Sequence, residues 1–486
     1  MSKLKNTTDS KPLFLVLYSI LCIGIVTCAY IFVLDYSVYS INYMILSCFT
    51  LLFLAGIVLL VFFLKNNYKQ PDWVFLLLGI PSSCAFAFFV LPNFVPDELY
   101  HICKIFDVPA SIGGGPLSVP ALLASDAIPH NYAECREILF SQNALTDRVI
   151  IERNLPYSFL LYITPGLVCM PLQFFGVHPL VLVIVARLVN AALFLAIGFI
   201  IIRILPLGKC IAMIYLLSPM VIQQSASCSA DCLTNAISLL FIAFVLKMNS
   251  QQKITWKSIA IALLLLFFIA IAKYAYALLG FLFLLFLPRV KSKKKRWGIL
   301  IAVIVVAIAG LIAMRAFSLG GLTITYMLDL IFDPLYGIGI FYETLCYYGE
   351  FYYASFLGAH LGQLDIAVWK PAILLFGALL VVSIFISVNK EKPLKKWDKV
   401  ILWLTFLVIF VLVIIAQRQW AIEEHNMWNV IEGVQGRYFI PIAIMPLLAL
   451  IGSRTSIVNE RFLLAATPII CFTQMCALMA VITFFV

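Results

Sequence analysis

The chain has 486 residues, 64% of them hydrophobic and only 12% charged, against roughly 45–50% and 25% in an ordinary soluble domain. So much apolar side chain exceeds what a water-soluble core can hide. Soluble multidomain enzymes, disordered tails, fibrous repeats and nucleic-acid readers are therefore excluded, and part of the solvent must be lipid. The formal charge of +10, from 33 basic and 23 acidic residues, invites an acidic partner only if it is evenly spread; in a membrane protein its sidedness decides.

About 20 helical residues cross a hydrocarbon core, and backbone polar groups in lipid need partners within their own segment, so each span should be a helix. Apolar stretches lie at 13–34, 41–64, 73–92, 156–176, 179–202, 210–226, 233–247, 257–272, 274–288, 298–317, 369–389, 400–417, 438–452 and 462–484. The basic runs Arg289, Lys291, Lys293, Lys294, Lys295, Arg296 and Lys390, Lys392, Lys395, Lys396, Lys399 mark cytoplasmic loops. Walking outward from them, and inward from the Lys-bearing N-terminus, gives one answer only if a segment between 93 and 203 does not cross. Residues 156–176, with Pro156, Pro165 and Pro171 and a short link Gly176–His178, are expected to form a juxtamembrane or re-entrant helix. The expected architecture is an all-α integral membrane protein of about 13 crossings, with juxtamembrane helices in a large first outer loop. Its N-terminus is expected in the cytoplasm and its C-terminus outside. The divisions are 1–92, an outer loop 93–178, spans in 179–317, an aromatic outer loop 318–368, and spans in 369–486. Sorted this way, the inner segments hold 23 of the 33 basic and 5 of the 23 acidic residues, so the inner face is basic and the remainder net acidic.

The first span is too long for a signal-peptide h-region and lacks an A-x-A site, so it is expected to stay as an anchor. The 13 cysteines form no zinc pattern. Cys103 and Cys135 share the first outer loop and are either a disulfide or two free thiols, while Cys228 and Cys232, one helical turn apart, suit packing. No phosphate-binding glycine loop is present, so no nucleotide is expected.

Polar chemistry gathers on the outer side, which takes all 5 histidines, His101, His130, His178, His360 and His425. At the exit of the third span stands Val95-Pro96-Asp97-Glu98-Leu99-Tyr100-His101. Pro96 and the two carboxylates suit the first turn of a helix, and Asp97 and His101 at i, i+4 then share a face. That face could carry a general base with its orienting partner, two ligands of a divalent metal, or only a helix cap. A second cluster, Gln435-Gly436-Arg437-Tyr438-Phe439-Ile440-Pro441, puts a guanidinium at the lipid boundary, to bind phosphate in bidentate fashion or to snorkel. A third is the turn Ser227-Cys228-Ser229-Ala230-Asp231-Cys232-Leu233-Thr234-Asn235, where Asp231 caps a helix or faces the cavity. Arg187 and Lys273 lie in or beside spans, where charges are costly and functional by default. Tyr326, Tyr336, Tyr342, Tyr347, Tyr348, Tyr352 and Tyr353 crowd the second loop, as an interfacial belt or as platforms for sugar rings.

Five of these motifs in order resemble the signature of domain-of-unknown-function family 2142. They are Pro96-Asp97-Glu98-x-x-His101, Leu155-Pro156-Tyr157 through Tyr162, Arg187-Leu188-Val189-Asn190, the Ser225–Asn235 turn, and Val434–Pro441, and the resemblance covers about residues 80–450. That family is similar to the C-type glycosyltransferase superfamily, polytopic enzymes that use polyprenyl-phosphate-linked sugars and an acidic catalytic residue in the first large outer loop. The resemblance implies Asp97 or Glu98 as the base, with His101 beside it. It implies Arg437, Tyr438 and Lys273 on the donor phosphate, and Asp231, Arg187, Tyr157 and Gln435 lining the cavity. A divalent metal bridging Asp97, His101 and phosphate is left open. The partners implied are a lipid-linked sugar donor, a saccharide acceptor such as a cell-surface polysaccharide, and membrane lipid, with no nucleic acid. A transporter or flippase of lipid-linked saccharides, and a polysaccharide polymerase or ligase, stand as alternatives.

Overall fold

In the computed structural model, the described residues are 10–36, 56, 70–113, 118–124, 128–141, 148–150, 158–251, 253–317, 325–387, 394–423, 425–452, 457–458 and 461–486. The expected span 41–64, apart from residue 56, lies outside them, as do Tyr157, Lys390 and Lys392. Helices dominate, and the strands among the described residues form three two-stranded pairs.

Among the described residues, seven helices are long and apolar enough to cross a membrane: Phe14–Leu34, Pro71–Phe89, Pro179–Ile204, Asp231–Ser250, Lys293–Ala313, Lys396–Glu423 and Phe462–Phe485. Each coincides with an expected span. Phe159–Phe174, Trp256–Ala272, Tyr274–Arg289 and Lys370–Ser383 are apolar but shorter. The expected spans 210–226 and 438–452 are interrupted. The first breaks into Lys209–Leu216 and Pro219–Ser225, because Pro219 cannot donate to the preceding turn and Ser218 caps the new helix through the Val221 amide. The second starts as a 3-10 turn at Gly436–Phe439 and becomes α-helical only at Ile444–Leu450. Carbonyls freed by these breaks are taken by side chains. Gln474 donates to Leu217 O (2.6 Å), Tyr215 to Ile440 O (2.6 Å) and Tyr276 to Tyr438 O (2.6 Å).

The helices used below are α1 (Ser10–Tyr36), α2 (Pro71–Phe89), α3 (Glu98–Gly113), α4 (Ile163–Phe174), α5 (Pro179–Ile204), α6 (Asp231–Ser250), α7 (Thr325–Phe332), α8 (Pro334–Leu357), α9 (Lys396–Ala416) and α10 (Arg418–Glu423). α2 and α5 pack closely at two glycines: a Cβ on Gly79 would strike Leu195, and one on Gly198 would strike the Phe75 ring. One large core fills the bundle, and a smaller one, built on Ile102, Ile105, Phe106, Tyr162, Cys169 and Val183, lies beneath α3. The expected aromatic outer loop 318–368 contains the helix α8. Asp333 caps it through the Tyr336 amide (3.1 Å), Pro334 opens it, and Gly358 at φ 96° ends it. Tyr342, Tyr347 and Tyr353 stay exposed along it while Tyr352 packs inward against Phe439. Cys103 and Cys135 are free thiols in different cores, Cys135 beside the Tyr30 hydroxyl (3.2 Å), so the disulfide alternative is not realised.

Candidate functional site

Arg187, Arg418 and Arg437 are among the largest fully buried side chains, and their surroundings differ. Arg187, on α5, lies under the C-terminal end of α2, where the last helical carbonyls have no intrahelical donor. It donates to Ala87 O (3.3 Å), Leu91 O (3.0 Å) and Val90 O, and makes two bonds to Glu98, Nε to Oε1 (2.9 Å) and Nη2 to Oε2 (2.6 Å). Glu98 also accepts the amides of Cys228 (3.1 Å) and Asn93 (3.1 Å), and is 0% exposed. Every donor of Arg187 and both oxygens of Glu98 are engaged, so this pair is a clasp tying the α2 exit to α3 and to the 227–231 turn. The expectations of Glu98 as a base and Arg187 as a cavity residue are corrected accordingly: neither has a free lone pair or proton for a substrate.

Clamping Glu98 leaves Asp97 outside the helix. Asp97 has φ 64°, a left-handed conformation that Asp tolerates better than most residues, and α3 begins only at Glu98. The expected shared face with His101 is therefore not formed. The Asp97 carboxylate turns instead to Arg437, Nη2 to Oδ2 at 3.0 Å, and remains 46% exposed. Arg437 Nη1 reaches Asp231 Oδ2 (3.3 Å) and Pro96 O (3.4 Å), and Nε donates to Gln435 Oε1 (2.6 Å), which fixes the plane of the fork. Lys273 Nζ donates to the other Asp231 oxygen (2.6 Å). The Tyr438 ring lies 4.7 Å from Lys273 Nζ and 5.1 Å from the Arg437 guanidinium, a cation–π contact with both. Gly436 is needed because a Cβ there would run into the α8 backbone at Tyr352 and Phe356, and its amide is held by Ser355 Oγ (3.0 Å).

His101 sits next to this cluster, not in it. Tyr162 Oη is 2.7 Å from Nδ1 and Ser229 Oγ is 3.3 Å from Nε2. Ser229 Oγ also accepts the Asp231 amide (3.1 Å), so the ring ties Tyr162 to the turn that carries Asp231. Burial pushes the imidazole down to about 4, against the pull of the Asp231 and Asp97 carboxylates, so it is neutral at pH 7. His101 thus holds the turn that aims Asp231. Tyr162 and Ser229 lie within the sequence motifs but carried no assigned role, because a hydroxyl's partner depends on elements far apart in the chain.

The structure therefore brings together Asp97, Asp231, Lys273, Gln435, Arg437 and Tyr438, with His101 behind them. Among the described residues no three His, Cys, Asp or Glu side chains gather to hold a metal ion. The two carboxylates that could bind one already face a guanidinium and an ammonium, so the residues present do not fit a bridging metal. At 1.5 Å per residue, α6 carries Asp231 roughly 27 Å from Asn249. Asn249 donates to Asp398 (3.0 Å) and accepts from Arg289 in a second polar cluster at the far end of the bundle.

Fold and composition define an integral membrane protein built from apolar helices. The family described as "Predicted membrane protein (DUF2142)" matches residues 128–445, and the chain belongs to it. The match takes in Arg187, Asp231, Lys273 and Arg437 and begins after the Pro96–His101 motif, so it is narrower than the expected 80–450. No curated protein and no solved structure matches the chain.

Proposed function

We propose that this protein is a membrane glycosyltransferase that moves a sugar from a polyprenyl-phosphate donor to an extracytoplasmic saccharide, with inversion. One observation carries the reading: the half-exposed Asp97 carboxylate is held 3.0 Å from a buried arginine that also shares Asp231 with Lys273. The cluster holds two cations and two carboxylates beside a neutral imidazole, so an arriving phosphate must displace a carboxylate to reach Arg437. Asp231, 8% exposed and doubly bonded, is fixed; Asp97 is the one free to move. Phosphate on Arg437 and Lys273 then releases Asp97 as the base that takes the acceptor hydroxyl's proton. The acceptor oxygen bonds to the anomeric carbon, the carbon–oxygen bond to phosphate breaks, and polyprenyl phosphate leaves with its electron pair, its growing charge met by Arg437. The finer topology, about 13 crossings in a C-type arrangement with the cluster on the outer face, belongs to the same proposal. The sidedness of lysine and arginine and the depth of Asp231 support it.

The transporter reading draws on the interrupted spans, since broken helices at mid-membrane are where transporters bind substrate. Here their freed carbonyls are occupied by Gln474, Tyr215 and Tyr276 within a packed core. A polymerase or ligase is chemically close and differs in the acceptor. The separating experiment is sugar transfer from a polyprenyl-phosphate donor by reconstituted protein. Asp97→Asn is expected to abolish it; undiminished transfer overturns the assignment. Arg437→Gln is expected to raise the donor concentration required, and unchanged donor dependence would return that residue to a packing role.

A further inference from the structure

Arg418, the third buried arginine, opens α10 just past the C-terminal end of α9. It is 2% exposed, yet its bonds go to neutral groups, Nη1 to Met427 O (3.3 Å) and Nη2 to Tyr336 Oη (3.0 Å). Among the described residues no carboxylate pairs with it. Asp329 and Asp333, at the packed helix α7 and the cap of α8, are solvent-exposed, and Glu432 lies beside His425 (3.5 Å). A helix C-terminus offsets only part of a buried charge, roughly 1 kcal/mol, and a buried cation ordinarily demands a counter-charge. The other two buried arginines have theirs. Half-exposed aromatic rings adjoin the two bonding partners of Arg418: Tyr336 itself, and Trp428 next to Met427, edge-on to Tyr326 at 5.9 Å. At 1.5 Å per residue Arg418 is roughly 30 Å along α9 from Asp398, at the same end of the bundle as Arg437. The strip that follows it, 425–436, is tied to α8 by the Ile431 amide on Thr344 (2.9 Å) and the Gly436 amide on Ser355 (3.0 Å). It leads directly from Arg418 to Arg437.

We infer that Arg418 and the Tyr336 and Trp428 rings form a second anion subsite, which takes a carboxylate- or phosphate-bearing saccharide on the acceptor side of the reaction. The rings offer stacking faces to sugars, and the guanidinium offers the charge that selects an anionic one. This assignment of the acceptor rests on the proposed transfer activity; the anion subsite itself does not.

The test is a binding measurement on full-length protein in neutral phosphatidylcholine nanodiscs, with oligogalacturonate against a malto-oligosaccharide of equal length. Oligogalacturonate is expected to bind more tightly, and Arg418→Gln to weaken it about tenfold, the scale of one charge-assisted contact. Trp428→Ala is expected to weaken both probes, and Asp97→Asn neither. Equal binding of the two probes, or an Arg418→Gln protein that binds as wild type, overturns the subsite. Arg418-dependent capture of anionic-lipid vesicles without oligogalacturonate binding overturns it in favour of a headgroup contact. If Arg418→Gln does not fold, Tyr336→Phe and Trp428→Ala decide: wild-type binding by both overturns the proposal. Loss of transfer in Asp97→Asn with probe binding intact separates this subsite from the catalytic assignment; Arg418-dependent binding in a protein without transferase activity removes only the acceptor role.

Discussion

The Arg187–Glu98 clasp and the Arg437 cluster are built from the same charges, with acids at the adjacent positions Glu98 and Asp97, and do opposite things. In the clasp every proton and lone pair is used, both side chains are fully buried, and three carbonyls at the exit of α2 complete the set. In the cluster one guanidinium is divided between two carboxylates, one of them 46% exposed. Saturation makes an ion pair structural; a shared arginine with an exposed partner makes one that an incoming anion can rearrange.

Four experiments break or sharpen this contrast. The largest effect is expected for Asp97→Asn, which should lower transfer by about 10²–10⁴-fold and leave the melting temperature nearly unchanged, since the lost carboxylate is half in water. A large drop in thermal stability would make Asp97 structural after all. Glu98→Gln or Arg187→Met should do the reverse, costing about 3–5 kcal/mol by stranding a buried charge. The double change Glu98→Met with Arg187→Met should recover part of that loss, read by thermal unfolding in detergent. Full stability in either single variant would dissolve the clasp.

His101 supplies the third test. Its folded pKa, about 4, lies below the ordinary histidine value of 6.5, so the unfolded chain binds a proton that the folded one refuses. The stabilisation is complete above pH 6.5 and declines as pH falls from 6.5 toward 4, by about 3 kcal/mol in all. His101→Gln should flatten this decline in melting temperature between pH 7 and 4.5; an identical pH profile would mean the imidazole is not held neutral. The smallest effect is expected for the cysteines. Cys103 and Cys135 should both alkylate on unfolding without reductant, and a reductant-dependent mass difference would contradict the free thiols.

The amino-acid sequence by itself determined the membrane class, the positions of the seven long apolar helices and the residue types of the cluster. Hydrophobic length and charge are properties of a linear segment, and the motifs around Asp97, Asp231 and Arg437 are local too. It did not locate α8 within 318–368, although the capping signals at Asp333, Pro334 and Gly358 are present there. It also placed Asp97 and His101 on one helical face, because a left-handed residue before a helix leaves no mark in side-chain spacing. Only the tertiary structure decided which carboxylate is clasped and which is shared, since Glu98 meets Arg187 and Asp97 meets Arg437 across 89 and 340 residues of chain. Adjacent acids with the same chemistry were sorted by the packing of α2 against α5, which brings one guanidinium under the helix end and leaves the other at the edge of the cluster.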